Sequence, residues 1–240
     1  DAFTDKVFSG NPAAVCPLNE WLSDDILQKI AMENNLAETA FYVKQGVQYH
    51  IRWFTPMVEV DLCGHATLAA AFVLFNHENH FGSEIQFYSP RSGKLAVRKQ
   101  GDYLTLNFPT DVYEHIELFE ELTSGFNHKP IEAIKGKTDY MLVFESEDQI
   151  SKMLPNFDAI SKLKARGVII TSKGVNVDFV SRFFAPQSGI NEDPVTGSAH
   201  TTLTPYWANK LGKNELSAIQ LSERKGYLNC KYANDRVEIS

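Results

Sequence analysis

Three residues of this chain, Cys63, His65 and Asp193, have side chains that could do chemistry and stand at related positions. Two segments, residues 52–56 and 182–186, share the pattern Arg-x-Phe-x-Pro and begin 130 residues apart. Counting seven residues on from each proline reaches Cys63 in the first copy and Asp193 in the second. The pattern predicts an internal repeat that carries different chemistry at equivalent points. Such asymmetry is typical of an enzyme whose site lies in a cleft between two half-domains.

The first copy, Cys63-Gly64-His65, is predicted to open a helix, whose positive end would disfavour a charged imidazole. A neutral His65 could then donate or accept a hydrogen bond, and the N–H groups of Gly64, His65 and Ala66 could hold an anion. The alternative is a histidine that only satisfies backbone groups at a helix start. Cys63 could be a thiolate activated by the same helix end. A buried structural thiol is favoured, because a two-base racemase would need a second thiol where this chain has Asp193.

The second copy has a strong structural interpretation. Asp193-Pro194 matches the preferred cap and first residue of a helix. The repeat favours a functional role instead, since it would turn the aspartate towards the same cleft as His65. Gly197 and Ser198 add a permissive backbone and further N–H donors.

Glu38 is an acid at the start of a predicted strand, between Ala37 and Thr39 in an otherwise apolar segment. It lies either at an exposed sheet edge or in a cavity, and its spacing alone favours the edge. A carboxylate that faces a cleft would be a competent general acid and base.

The elements that must position these residues include an unusual helix over 65–76, which is apolar nearly all the way round. Such a helix cannot lie on a surface, so we expect a curled sheet to enclose it. The segments with strand patterns that would supply this sheet are residues 38–43, 49–55, 84–89, 94–99 and 103–108.

The second half of the chain repeats this order and is predicted to contain a helix over 196–211 with Pro205 inside it. We place the boundary so that residues 1–109 form the N-terminal half-domain and residues 110–235 the C-terminal one. A strand near 236–240 could return to the first half. The predicted fold class is α+β, with two pseudo-symmetric half-domains, each a barrel-like, mostly antiparallel sheet around a central helix.

Composition excludes several classes of function. The net charge is −7 and no basic stripe is present, so nucleic acid is not an expected partner. The longest apolar run, within residues 68–75, is far shorter than the roughly 20 residues of a membrane span. We therefore expect a soluble protein with no membrane partner. Three cysteines without a framework spacing predict a reducing, cytoplasmic location. No paired Cys or His ligands indicate a zinc site, so no metal is expected.

Five blocks of sequence, in order along most of the chain, resemble the PhzF-like phenazine-biosynthesis family. These blocks are residues 1–4, 8–15, 35–41, 61–67 and 192–199. The family shares its fold with diaminopimelate epimerase and proline racemase. The resemblance thus implies a diaminopimelate epimerase-like fold with the site between two half-domains, and a homodimer.

The resemblance also implies roles for individual residues. Glu38 matches the family's general acid/base, which moves a proton between carbons of a dihydro-hydroxyanthranilate without a metal or an organic cofactor. His65 and Asp193 match its substrate-positioning partners. The positions that match substrate-contacting residues, with a carboxylate as the expected ligand, are Gly64, Gly197 and Ser198. Ala37 departs from the family pattern, which more often has Ser there, so the phenazine substrate itself is not carried over.

Three hypotheses of function follow. The first is a cofactor-independent isomerase that acts on a small carboxylate-bearing, cyclic or unsaturated substrate, with Glu38 moving one proton between two carbons. The second is a small-molecule binding protein that keeps the cleft without turnover. The third is an amino-acid racemase or epimerase, which Asp193 disfavours because it stands where a second thiol would be required.

Overall fold

The computed structural model describes residues 1–240, and the chain divides into two compact units. The first unit consists of Asp1–Asn107 together with Ser240, and the second of Phe108–Ile239. The boundary that the sequence predicts at residues 109–110 stays a prediction, as does the return of the last strand to the first half.

Six α-helices carry most of the helical structure. They are α1 (Asp24–Asn34), α2 (Gly64–Asn76), α3 (Glu120–Thr123), α4 (Glu147–Ser151), α5 (Phe157–Ile160) and α6 (His200–Leu211). Two single turns, Pro186–Ser188 and Gly197–Ala199, are 3-10 helices. Helices α4 and α5 are separated by a break that contains Pro155, because proline disfavours a helical conformation in the residue before it. No helix of the chain is both long enough and apolar enough to cross a membrane.

Sixteen strands make up the sheet structure. Those of the first half of the chain are β1 (Ala13–Leu18), β2 (Glu38–Gln45), β3 (Gln48–Phe54), β4 (Glu59–Val60), β5 (Glu84–Ser89), β6 (Gly93–Gln100) and β7 (Tyr103–Pro109). Those of the second half are β8 (Glu114–Ile116), β9 (Glu132–Lys135), β10 (Tyr140–Val143), β11 (Val168–Lys173), β12 (Phe179–Ala185), β13 (Ile190–Glu192), β14 (Glu215–Gln220), β15 (Gly226–Ala233) and β16 (Arg236–Ile239).

In the first unit the strands follow the order β1-β2-β3-β5-β6-β7, and the short β4 pairs with β3. The β1–β2 and β3–β5 pairs are parallel, whereas β2–β3, β5–β6 and β6–β7 are antiparallel. The parallel register places Ala13 of β1 beside Glu38, the first residue of β2. Glu38 therefore has a paired strand on each side of its own, which fixes its backbone.

Helix α2 packs against β1, β2 and β6, and it starts at Gly64 as the sequence predicts within one residue. Its first turn is closed by Thr67, whose N–H and hydroxyl both donate to the Cys63 carbonyl at 3.2 and 2.6 Å. Alanines on its buried side let the sheet approach closely. Enclosure is not complete, because Phe72 of α2 remains about half exposed.

In the second unit the strands follow the order β16-β15-β14-β12-β11-β10-β9-β8, and β13 pairs with β12. Only the β10–β11 and β12–β14 pairs are parallel. Helix α6 packs against β14, β15 and β16. Two units of mostly antiparallel sheet with few helices confirm the predicted fold class, although the strand path within each unit stays open and forms no closed barrel.

Each unit has its own apolar core. In the first, Leu27 and Ala31 of α1 pack against Phe41 and Phe54 of the sheet. In the second, a larger cluster joins the sheet to α4 and α5. Its fully buried members include Leu142, Ile150, Ile160, Val168 and Phe184.

The two Arg-x-Phe-x-Pro segments form the same local structure. Arg52 donates through Nε and Nη2 to both oxygens of Glu59 on β4, at 2.7 and 2.8 Å. Arg182 does the same to Glu192 on β13, at 2.7 and 2.9 Å. Each guanidinium also lies about 5 Å from the ring of the phenylalanine two residues on, 5.1 Å in the first copy and 5.0 Å in the second. The arginines are therefore pairing residues, and the repeat extends to the side chains that anchor the turn before each site segment.

Candidate functional site

Glu38, Cys63 and His65 come together in the first unit, where the start of β2 meets the start of α2. His65 Nε2 lies 3.2 Å from Glu38 Oε2, and Cys63 Sγ lies 3.5 Å from His65 Nδ1. All three are largely withdrawn from solvent, with side-chain exposures of 15% for Glu38 and 7% for His65. The sequence interpretation of Glu38 as an exposed edge residue is wrong, because its carboxylate points inward to the helix start.

The Glu38 carboxylate is only partly engaged. Its Oε2 is buried and close to His65 Nε2, yet it has no hydrogen bond whose angle is favourable. A buried carboxylate oxygen without a well-aligned donor is costly for stability and is typical of a group kept for function. This oxygen is thus available to take a proton from a bound molecule.

Burial sets the state of the Cys63 thiol. It raises the pKa of Cys63 above its ordinary value, and neither the neighbouring His65 nor a hydrogen bond from the Ala66 backbone reverses that direction. The thiol therefore stays protonated at neutral pH, which agrees with the interpretation of Cys63 as a structural residue and argues against a thiolate base.

His65 behaves differently from the neutral imidazole expected at a helix start. Burial alone would lower the pKa of His65, but the Cys63 sulfur and the Glu38 carboxylate raise it, and the net direction is well upward. Glu38 and His65 are therefore electrostatically coupled across the 3.2 Å contact.

A network of charged side chains fixes the segment that leads into α2. Glu59, already held by Arg52, also pairs with Arg91 Nη2 at 2.9 Å. Arg91 Nη1 donates to the Glu59 carbonyl and to Asp61, both at 3.2 Å. The hydroxyl of Ser92 donates to the Asp61 carbonyl. Because these contacts immobilise residues 59–61, Cys63 and His65 enter the helix at a defined position.

Glu38, Cys63 and His65 also form the one group of the chain that could hold a metal ion, since one ligand atom from each lies within 4.8 Å of the others. Thiolate, imidazole and carboxylate are all zinc ligands, and three protein ligands are typical of catalytic rather than structural zinc sites. Such an ion would use the Glu38 carboxylate that a proton-accepting role would also need.

Asp193 lies in the second unit and does not cap a helix, which was only the local interpretation of Asp193-Pro194. Helix α6 begins only at His200, and the preceding 3-10 turn starts at Gly197 with Thr196 as its cap residue. Asp193 instead accepts a 2.5 Å hydrogen bond at Oδ2 from the Thr196 hydroxyl. Gln220 Nε2 donates to the Asp193 carbonyl at 2.7 Å, and Gln220 Oε1 accepts from the Thr196 N–H at 2.9 Å.

Thr196 and Gln220 are thus supports of the candidate site that sequence reasoning missed. Gln220 is fully buried at a position of β14 that continues the inward-facing series Leu216 and Ala218. A glutamine at an inward-facing strand position is the signal that could have identified it, because a buried amide must find partners.

The other two predicted contact residues of this segment, Gly197 and Ser198, follow directly. Gly197 is buried, and the Ser198 hydroxyl accepts a 2.8 Å hydrogen bond from Arg166 Nη1. No motif in the sequence marks this arginine, which lies 32 residues earlier in the chain. The structure therefore gathers Asp193, Gly197 and Ser198 along one rigid turn of the second unit.

Comparison with known proteins decides the family. The family model described as phenazine biosynthesis-like protein, PhzC-PhzF, matches residues 1–240. The chain belongs to the PhzC-PhzF family. A Pseudomonas aeruginosa relative named as an uncharacterized isomerase is 50% identical over 240 residues, which cover all of this chain and 92% of the relative.

Solved structures of similar proteins support the same family and fold. A PhzF-family phenazine biosynthesis protein of Enterococcus faecalis superimposes with a TM-score of 0.97 at 49% identity, over all of this chain and 92% of the other. A probable proline racemase of Agrobacterium radiobacter shares the fold alone, with a TM-score of 0.56 at 5% identity over 90% of this chain and 78% of the other. The expected relation of the PhzC-PhzF fold to the racemases is thereby confirmed.

Proposed function

We propose that this member of the PhzC-PhzF family is a cofactor-independent isomerase that moves one proton between two carbons of a small carboxylate-bearing substrate. The observation that carries the proposal is the buried Glu38 Oε2, which lies beside His65 without a well-aligned hydrogen bond. Its relatives' names, which include uncharacterized isomerases, support the reaction class. That the substrate is cyclic and resembles a dihydro-hydroxyanthranilate is part of the proposal on the family resemblance alone, because the family description names only phenazine biosynthesis.

In the proposed reaction, the Glu38 carboxylate removes a proton from a carbon next to an unsaturated group. The C–H electron pair moves into the conjugated system of the substrate, and Glu38 becomes the neutral acid. The same acid then returns its proton to a second carbon of that system, which restores the carboxylate and shifts a double bond. A single base suffices because the substrate is held rigidly and water is largely excluded.

His65 is proposed to assist by holding Glu38 in place and by carrying positive charge next to the developing carbanion. An upward-shifted pKa suits this role, since a proton on the imidazole stabilises negative charge in a site with little water. Asp193, Gly64, Gly197 and Ser198 are proposed to orient the polar groups of the substrate. We also propose a homodimer, to be tested by the mass of the particle in light scattering.

The test is solvent deuterium incorporation, followed by NMR, into a panel of cyclic and unsaturated amino and hydroxy acids. We expect the wild-type protein to shift a double bond and to introduce deuterium at one new carbon, and the Glu38→Gln variant to lose both. Binding without any exchange would instead favour a silent binding protein. Exchange with inversion at a single carbon would favour a racemase. Full activity in Glu38→Gln would refute the assigned base.

A further inference from the structure

Arg166 of the second unit is held by a carboxylate and in turn holds a hydroxyl. Its Nε donates to Asp139 Oδ1 at 2.9 Å, and its Nη2 pairs with Asp139 Oδ2. Asp139 is almost fully buried, with a side-chain exposure of 5%. The remaining nitrogen, Nη1, donates to the Ser198 hydroxyl at 2.8 Å. A planar guanidinium that makes two hydrogen bonds to one carboxylate has little rotational freedom, so the position of Nη1 is fixed.

The backbone around Arg166 is equally constrained. Its N–H donates to the Thr138 carbonyl at 2.8 Å, and its carbonyl accepts from the Ser188 hydroxyl at 2.9 Å. Its guanidinium lies 5.2 Å from the Phe183 ring centre. The next residue must be glycine, because a Cβ at Gly167 would come within 2.4 Å of the Phe183 ring. These contacts make Arg166 a fixed part of the fold rather than a mobile surface arginine.

This arrangement dictates which way the Ser198 hydroxyl can point. A serine hydroxyl has one proton to donate and accepts through its lone pairs, and here Arg166 occupies an acceptor position. No protein atom accepts the proton of the Ser198 hydroxyl. The neighbouring Thr201 hydroxyl donates its own proton to the Ser198 carbonyl at 2.7 Å. The Ser198 proton is therefore free to be donated to a ligand. Since Asp139 balances the charge of Arg166, the arginine serves less as an anion site than as an aligned donor.

We propose that Arg166, clamped by Asp139, is a positioning residue that fixes the Ser198 hydroxyl as a hydrogen-bond donor to the carboxylate of the substrate. The proposal rests on the proposed function, because it takes Ser198 as a substrate contact. It adds to that function a structural reason for carboxylate recognition. Arg166 acts through Ser198 and needs no contact of its own with the substrate.

The test is a double-mutant cycle in binding, read by isothermal titration with anthranilate and with methyl anthranilate as probes. Anthranilate carries the carboxylate, and its methyl ester replaces that charge with a neutral group that is larger by one methyl. We expect Arg166→Gln to weaken anthranilate binding about tenfold and to leave the ester nearly unchanged. In a Ser198→Ala background, Arg166→Gln should have no further effect. Arg166→Lys keeps the positive charge on a single nitrogen but cannot make the paired hydrogen bonds to Asp139. It should therefore bind anthranilate more tightly than Arg166→Gln and less tightly than the wild-type protein.

Three results would overturn the proposal. One is an equal loss for both probes, the second is full additivity of Arg166→Gln and Ser198→Ala, and the third is a wild-type protein that does not prefer anthranilate to the ester. Urea unfolding of each variant distinguishes local loss of binding from loss of the fold, and Arg166→Lys serves as the variant with least disturbance. Anthranilate binding needs no proton transfer, so Glu38→Gln should still bind it. A failed isomerase hypothesis and a failed Arg166 hypothesis therefore give different results.

Discussion

Replacing His200 with Asn is expected to remove most of the sensitivity of the second unit to mild acid. His200 opens α6, is fully buried, and donates from Nδ1 to the Thr196 carbonyl at 2.9 Å. Its ring lies against Phe179, 5.8 Å between centres, and its Nε2 has no hydrogen-bond partner. Burial lowers the pKa of His200 to about 4. A proton on Nε2 would place a charge in an apolar interior with nothing to accept it.

The sign and size of this acid sensitivity follow from the difference between the His200 pKa in the folded chain and in the unfolded chain. An unfolded histidine takes up its proton near its ordinary pKa of 6.5, whereas the folded one does so only at about 4. Between these values the unfolded chain binds more protons, so the free energy of unfolding falls as the pH falls. At about 1.4 kcal/mol per pKa unit, the loss is about 2 kcal/mol between about pH 7 and pH 5, and about 3 kcal/mol in all.

Urea unfolding, followed by the fluorescence of the buried Trp207 on α6, measures this loss at a series of pH values. His200→Asn keeps a donor near the Nδ1 position and cannot titrate, so it is the matched control. The pKa of Asp178 and that of Glu132 are both lowered, despite burial, by their lysine partners, and their contributions are lost only below about pH 4.5. Parallel pH profiles for the two proteins from about pH 7 to pH 5 would refute the reasoning.

Three further expectations concern the second unit. Gly226→Ala should destabilise it by about 1–3 kcal/mol in urea, because the new Cβ would lie 2.2 Å from Val195 Cγ2; a change below about 0.5 kcal/mol would contradict the packing described. Glu192→Gln should cost about 2 kcal/mol, since it leaves the charge of the largely buried Arg182 without its carboxylate, and equal stability would show that the fork contributes nothing. Burial raises the pKa of Cys230 to about 12, so iodoacetamide should label this thiol only after unfolding, as mass spectrometry of peptides would show.

Much of the first unit could be predicted from local patterns. The helix expected over 65–76 is α2, Gly64–Asn76, because a run of apolar helix formers needs no distant information to be recognised. Strand β1 was missed. Its residues Ala13–Leu18 include Pro17 and do not alternate, and they form a strand because β2 offers them a parallel partner. That pairing depends on residues more than twenty positions away.

The candidate site depended on contacts that spacing does not show. The local signal of Asp193-Pro194 indicated a helix cap, but Gln220 holds the segment in a different turn by donating to the Asp193 carbonyl and accepting from the Thr196 N–H. Glu38 and His65 are also far apart in sequence, and the family resemblance singled out Glu38 where its position in the strand did not. Arg166 had neither a motif nor a resemblance to mark it, and only the folded chain brings it to Ser198.

The most direct test of the central claim compares Glu38→Gln with Cys63→Ala in the same deuterium-exchange assay, on whichever panel compound the wild-type protein converts. Both side chains contact His65, so each variant removes one contact of the same imidazole. If Glu38 is the only base, Glu38→Gln loses about 10²–10⁴-fold in rate, and Cys63→Ala stays within about tenfold of wild type. A large loss in Cys63→Ala together with retained exchange in Glu38→Gln would contradict the account.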